Sequence, residues 1–350
     1  MLIRYNLFVK TFVILLRGLT NRQSTGTHMT HSHQRPPQVL LFDPITWIHD
    51  WSYDEERAAL AALGVDLVIP SDRESRDSHL KESDVVVVSS IDRLTASHIE
   101  RMERCVGILC YSAGMDAVDV ESAGRANIAV ANVRAGTADV ADHAMTLLLA
   151  AWRKLPAMTS EARAGRWDLE QHPEFRAIPR LAGSTLGIFG AGQIGRAVAF
   201  RARAFGLRTI ATYRRPEAAE PDLPHVSLDR LVAESNALVL TAALNPSTSG
   251  VVDRRLLGGA RPGLVLVNVG RGALIVERDL ADALDAGIVS AAALDVRDPE
   301  PPDPDDDVLS GRSDVIQTPH LAGMSTEALS SLHRLAATEI EGLLRQGGRL

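Results

Sequence analysis

The sequence predicts an α/β protein of two Rossmann-like units, the second inserted into the first. Three observations support this. From Gln38 onward, short apolar runs alternate with helical patterns, as parallel sheets with helical crossovers require. The strand-like runs fall into two series, separated by the long apolar stretch TADVADHAMTLLLAAW. A helical pattern, STEALSSLHRLAATEIEGLLRQ, remains after the second series, so the chain returns to the unit it left. These patterns place a flavodoxin-like unit at 36–134 and 322–350, and a doubly wound unit at 135–321.

Residues 1–35 do not match the rest. No alanine precedes Ala58 and no acid precedes Asp43. Arg4, Lys10, Arg17 and Arg22 interrupt the apolar LFVKTFVILLRGL, leaving a run too short for a bilayer and without a small-residue cleavage pattern. The segment reads as a leader outside the fold, produced by translation from a start upstream of Met29, with a mitochondrial transit peptide as the alternative.

VLLFDP (39–44) is the first strand. Ser52 and Glu55 then stand at capping-box spacing before ERAALAALG, and Gly64 fits the stop. VDLVIP, SDVVVVSS and VGILCYSAG follow as buried strands, with TASHIERM as a helix between the last two. The second series holds STLGIFG, LRTIATY, NALVLTAA, GLVLVNVG, VSAAALDV and DVIQTPH. Helical patterns such as IGRAVAFRARAFG, LDRLVAES and ERDLADALDAG lie between them, which suits a doubly wound domain.

With 350 residues, 45% of them hydrophobic, the chain can bury a core for two domains. A net charge of −7 and 4% aromatic residues argue against an extended nucleic-acid footprint. Cys105 and Cys110 lie in CVGILCYS; on a strand they would face opposite sides of the sheet, too far apart to bridge. Neither a disulfide framework nor a zinc site follows, and two core thiols suit a reducing, cytoplasmic setting without membrane attachment.

LGIFGAGQIG holds Gly190, Gly192 and Gly195 in G-x-G-x-x-G order, directly after a strand and opening a helix. The first glycine permits a tight turn, the second lets backbone approach a pyrophosphate, and the third lets helix pack on strand. About 20 residues on, an acid usually binds the ribose 2′-hydroxyl of NAD. TIATYRRP offers Tyr213, Arg214 and Arg215 instead. Guanidinium groups bind a 2′-phosphate with charge-assisted bonds, so NADP is the expected cofactor, with NAD as the alternative.

Three later motifs fall at or just beyond the C-terminal ends of strands, where open α/β sheets place ligands. NVGRG (268–272), LDVRDPEP (294–301) and TPHLAG (318–323) contribute Arg271, Glu300 and His320. An arginine, a carboxylate and a histidine facing a nicotinamide would suffice to reduce a 2-keto acid. From residue 38 the sequence resembles the D-isomer-specific 2-hydroxyacid dehydrogenase family, whose signatures N-x-x-R-G, D-V-F-x-x-E-P and T-P-H-(I/L)-A-G run in this order.

The resemblance implies that Arg271 binds the substrate carboxylate and carbonyl oxygen, that His320 is the acid in reduction and the base in oxidation, and that Glu300 pairs with the imidazole. YSAGMDAVD (111–119) resembles the family's substrate loop, so backbone N–H groups near Ala113 and Gly114 would hold the carboxylate. Thr137, Gln193, Ile194, Val269 and Asp295 match cofactor-contact positions, Asp295 at the carboxamide. Two departures stand out: Arg297 replaces the usual phenylalanine, and Ala243 replaces a usual proline. Glutamate at position 300 disfavours a formate dehydrogenase, which carries glutamine there.

The expected activity is that of a glyoxylate/hydroxypyruvate-type reductase on a small 2-keto or 2-hydroxy acid. The alternatives are an NAD-dependent phosphoglycerate-type dehydrogenase, disfavoured because no regulatory domain follows residue 350, and a non-catalytic dinucleotide-sensing corepressor. Side chains near Trp47, Ile48 and Met115 are candidates for substrate choice. The resemblance also implies hinge closure of an interdomain cleft and a homodimer, with the apolar helix at 138–151 as candidate interface.

Overall fold

A computed structural model describes residues 35–45, 51–89, 92–168, 170, 175 and 177–350. The expectations for residues 1–34, and for Trp47 and Ile48, lie outside the described residues. The chain divides into two compact units, one taking residues up to Ala135 together with Leu329–Leu350, the other Gly136–Ala328. The return crossing thus falls later than the expected 322. Leu321 and Ala322 donate their N–H groups to the Asp295 carboxylate, which keeps that stretch with the second unit.

In the first unit the elements run β1 (Gln38–Leu41), α1 (Asp54–Ala61), β2 (Asp66–Val68), α2 (Arg73–His79), β3 (Val85–Val88), α3 (Ala96–Ile99), β4 (Gly107–Cys110), α4 (Val120–Arg125) and β5 (Ala129–Asn132). The strands form a parallel sheet in the order β2-β1-β3-β4-β5. β3 is four consecutive valines, all buried, so both faces of the sheet must be covered. Leu40, Phe42, Val86 and Val88 pack with Ile99 and Ile108 on one side. Val39, Leu41, Val85 and Val87 pack with Ile340, Leu343 and Leu344 on the other.

Three details differ from the sequence reading. Tyr53 is the N-cap of α1 and no side chain caps it, so the Ser52–Glu55 box does not form. Cys105 precedes β4 instead of lying on it; freed from strand alternation, it packs in the same core as Cys110. Burial pushes both thiols up to about 12, so they are inert. The fifth strand, AVAN, escaped detection because its small alanines give little hydrophobic contrast.

The second unit runs α5 (Thr137–Trp152), α6 (Leu155–Arg163), β6 (Thr185–Phe189), α7 (Gln193–Ala204), β7 (Arg208–Thr212), α8 (Leu228–Glu234), β8 (Ala237–Leu240), α9 (Arg254–Leu257), β9 (Leu264–Asn268), α10 (Glu277–Asp285), β10 (Val289–Leu294), β11 (Val315–Gln317) and α11 (Thr326–Gln346), which ends in the first unit. All six strands are parallel, in the order β11-β10-β9-β8-β6-β7. The strand order reverses between β6 and β8, the switch point at which such sheets bind dinucleotides. Ala141, Ala144, Met145, Leu148 and Trp152 of α5 are buried at helical spacing within this unit. That apolar stripe therefore packs in the core of this unit. Among the described residues no helix is long and apolar enough to cross a membrane, and no cluster of His, Cys, Asp and Glu could hold a metal.

Candidate active site

The phosphate loop follows β6. Gly190 has φ +102°, and a Cβ there would stand 2.6 Å from the Ala242 backbone. A Cβ on Gly195 would collide with the Gly190 carbonyl and lie 2.9 Å from Thr241 Oγ1. Gly192 is different: a Cβ there would meet nothing within 4 Å. It is the N-cap of α7 and brings no capping side chain to the first N–H groups of that twelve-residue helix. A pyrophosphate fits this cradle chemically, since backbone donors and the positive helix end favour an anion. Gln193 and Ile194 open the helix, Gln193 exposed and Ile194 half-buried. Thr137 is the first residue of α5, and Val269 lies buried just past β9.

At the end of β7, Arg214 and Arg215 are exposed. Tyr213 is not presented in the same way. Its side chain turns into the core, where its hydroxyl donates to the Leu223 carbonyl at 2.8 Å, and its N–H donates to His225 Nδ1 at 3.2 Å. An amphipathic ring beside a buried carbonyl satisfies both its apolar body and its polar tip there. Arg196 of α7 lies over that ring, 5.2 Å from its centroid, and binds Glu220 and the Ala218 carbonyl, closing the loop that carries the two arginines.

Three loops at the C-terminal edge of the sheet carry the remaining motifs. In NVGRG, buried Asn268 holds the turn from both ends: its Nδ2 donates to the Arg271 carbonyl at 2.8 Å, and its Oδ1 accepts from Gly270 N at 3.0 Å. Gly272 packs so tightly on the next motif that a Cβ would overlap the Arg297 carbonyl group. After β10 comes Asp295, 1% exposed. Its Oδ1 accepts from Thr318 Oγ1 at 2.6 Å and Leu321 N at 3.0 Å, and its Oδ2 from Ala322 N at 2.9 Å. His143 of α5 adds an Nε2 at 3.4 Å from Oδ1 and donates or accepts with Thr318 Oγ1 at 3.1 Å. The carboxylate expected at a cofactor carboxamide thus already serves the loop bearing His320.

His320 and Glu300, twenty positions apart, meet directly. Glu300 Oε2 stands 2.7 Å from His320 Nδ1. An ionised carboxylate can only accept, so Nδ1 carries the hydrogen and Nε2 is the outward nitrogen. Glu300 Oε1 accepts the Arg297 N–H at 2.8 Å. Burial pushes the Glu300 carboxyl up, but the His320 bond and charge, the Arg297 N–H and the Arg271 charge together hold it below its usual range. Arg271, His320 and Glu300 therefore belong to one electrostatic neighbourhood. His320 has φ +55°, a left-handed conformation rare for a residue with a side chain. A cavity of about 350 Å³, lined in part by Asp295, Glu300, Thr318, Pro319 and His320, opens here.

Ala113 and Gly114 lie in the first unit, after β4. The Ala113 carbonyl accepts from Asn132 Nδ2 at 2.5 Å, and the Gly114 carbonyl from Ser112 Oγ at 3.1 Å, so the loop's carbonyls are tied down by its own unit. Asn268, His143 and Thr318 were missed from sequence as supporting residues. Asn268 and Thr318 sit inside motifs read only for their arginine and histidine.

A parallel six-stranded sheet with a glycine cradle at its switch point and a proton-carrying His–Glu pair on its carboxyl edge defines an NAD(P)-dependent oxidoreductase. The chain belongs to the D-isomer specific 2-hydroxyacid dehydrogenase family: residues 145–322 match the model of its NAD binding domain. It is 35% identical over 286 residues to a hydroxypyruvate reductase of Thermotoga maritima, covering 79% of this chain and 90% of that protein. It is 32% identical over 314 residues to a D-3-phosphoglycerate dehydrogenase of Methanocaldococcus jannaschii, covering 88% of this chain but 57% of the relative. The chain thus spans little more than half of that longer protein. The crystal structure of a glyoxylate reductase from Paecilomyes thermophila is similar with a TM-score of 0.79 and 30% identity, covering 90% of this chain and 97% of that one.

Proposed function

We propose that this enzyme uses NADPH to reduce small 2-keto acids, of the glyoxylate and hydroxypyruvate class, to D-2-hydroxy acids. The observation that carries the reading is the 2.7 Å contact between His320 Nδ1 and Glu300 Oε2, which supports the imidazole as the proton-handling group. In this reading Arg271 binds the substrate carboxylate and carbonyl oxygen, and the backbone N–H groups near Ala113 and Gly114 are the donors the substrate loop offers a carboxylate. His320 gives its proton to the carbonyl oxygen as that oxygen gains charge, and Glu300 orients the imidazole through Nδ1. When bound, the nicotinamide supplies the hydride to C2. Gly190, Gly192, Gly195, Gln193 and Ile194 would cradle the pyrophosphate, with Thr137, Val269 and Asp295 lining the path to the nicotinamide.

Exposed Arg214 and Arg215, with no acid between Asp142 and Glu217 except Glu161, Asp168, Glu170 and Glu174, favour the phosphorylated cofactor. Hydroxypyruvate and glyoxylate are chosen because relatives that the chain covers almost completely carry those names. Steady-state assays with NADPH and NADH against glyoxylate, hydroxypyruvate, pyruvate and 3-phosphohydroxypyruvate test the proposal. His320→Ala should lower kcat by at least about a thousandfold while leaving NADPH binding intact. Turnover of the phosphorylated acid alone, or with NADH alone, would overturn the substrate or the cofactor assignment respectively.

A further inference from the structure

Arg297 stands where the family usually carries phenylalanine, and its side chain is only 5% exposed. Nε and Nη2 each donate to the Glu277 carboxylate at 2.8 Å, Nη2 also donates to Asp307 at 2.7 Å, and Nη1 bonds the Gln317 side chain. These partners come from different places: Glu277 opens α10, Asp307 lies in the acidic loop, and Gln317 ends β11 just before Thr318. The Arg297 hydrogen bond holds the Asp307 carboxyl below its usual range.

The backbone of the same residue faces the site. Its N–H donates to Glu300 Oε1 at 2.8 Å, and its carbonyl packs on Gly272, next to Arg271. One residue therefore touches the arginine loop through Gly272, the carboxylate through its N–H, and, through Gln317, the strand end that leads into the histidine loop. A phenylalanine would fill the volume without directed bonds. A planar guanidinium in a fork of two carboxylates fixes its own backbone in position and orientation.

We propose that Arg297 is a positioning residue for the Glu300–His320 pair: its clamped guanidinium sets the backbone N–H that holds Glu300 against the imidazole. This rests on the reading of that pair as the proton-handling groups of the reductase. A purely structural arginine would protect the fold without acting through Glu300, and the two roles separate experimentally.

The full chain, labelled with ¹⁵N-histidine, gives an imidazole signal for His320 that is assigned by its loss in His320→Ala. Arg297→Met should weaken the Nδ1–H signal of His320 and lower kcat about tenfold, with the Kd for NADPH changed less than about twofold. Arg297→Lys, which keeps the charge but not the planar fork, should recover little of either. In a Glu300→Gln background, Arg297→Met should cost less than about a further twofold in kcat, because the group it acts through is already altered. An unchanged imidazole signal in folded Arg297→Met, or the same tenfold loss in the Glu300→Gln background, overturns the proposal. Should Arg297→Met not fold, Asp307→Asn removes one clamp and should give the same changes in smaller degree; a folded Asp307→Asn with the parent signal overturns it equally. A parent chain that turns over no keto acid sinks the functional reading alone, since the imidazole signal still decides the role of Arg297.

Discussion

Asp295 holds His320 directly and through the residues on either side of it. The His320 N–H donates to the Asp295 carbonyl at 2.8 Å, while the Asp295 carboxylate binds Thr318 on one side of the histidine and Leu321 and Ala322 on the other. The left-handed turn at His320 is thereby held by bonds to a single buried residue, which offset its backbone strain.

Removing that acceptor should be costly. Asp295→Ala leaves two backbone N–H groups without their acceptor and the Thr318 hydroxyl with His143 alone, and an expected loss of about 2–4 kcal/mol follows from leaving buried donors unmade. Denaturant melts measure it. Asp295→Asn keeps one acceptor oxygen and should lose less; equal losses for the two would mean that volume, not hydrogen bonding, holds the turn.

The phosphate loop offers a contrast between two glycines. Gly192→Ala places a methyl in open space, so melting should shift by no more than about 2 °C, yet NADPH binding should weaken at least about tenfold because the methyl stands where backbone must approach phosphate. Gly195→Ala collides with the Gly190 carbonyl and should lower both stability and binding. Fluorescence titration of NADPH beside thermal melts separates the two; unaltered binding in Gly192→Ala would move the pyrophosphate elsewhere.

Arg214 and Arg215, replaced together by alanine, should raise KM for NADPH by about 10–100-fold and KM for NADH by less than about threefold. Parallel losses with both cofactors would show that the arginines do not contact a 2′-phosphate.

For Glu300 the sign of the pH effect is fixed by a depressed pKa. Its ordinary value is 4.5, and the folded value lies lower, so its contribution to stability is present above 4.5 and disappears as pH falls through the folded value. Keto-acid reduction should therefore keep its Glu300–His320 pair down to about pH 4.5 and lose it only in stronger acid. Glu300→Gln should abolish that acid limb of the kcat/KM profile. A variant with the parental limb assigns the limb to another group.

The two units and most strands were legible because buried parallel strands such as VVVV leave near-continuous apolar runs between glycine and proline signals. That the glycine triplet, Arg271, Glu300 and His320 follow strand ends was legible, because the apolar runs of β6, β9, β10 and β11 precede them. What stayed hidden depends on side-chain direction. Spacing cannot say that Tyr213 turns inward, that the Asp295 carboxylate binds the TPHLAG loop, or that Arg297 finds two carboxylates from distant segments. Cys105 shows the same limit on a smaller scale, since it stands two residues ahead of β4, where strand alternation no longer decides which side of the sheet it meets.

The interleaving of the two units bears on how the polypeptide matures. Ile340, Leu343 and Leu344 close one face of the first sheet, yet they are synthesised after all of Gly136–Ala328. On the ribosome the interrupted unit must wait, with Val39, Leu41, Val85 and Val87 uncovered, while the continuous one can already fold. Birth order and assembly order are thus reversed, and the valine-rich sheet is the part a chaperone would have to shield.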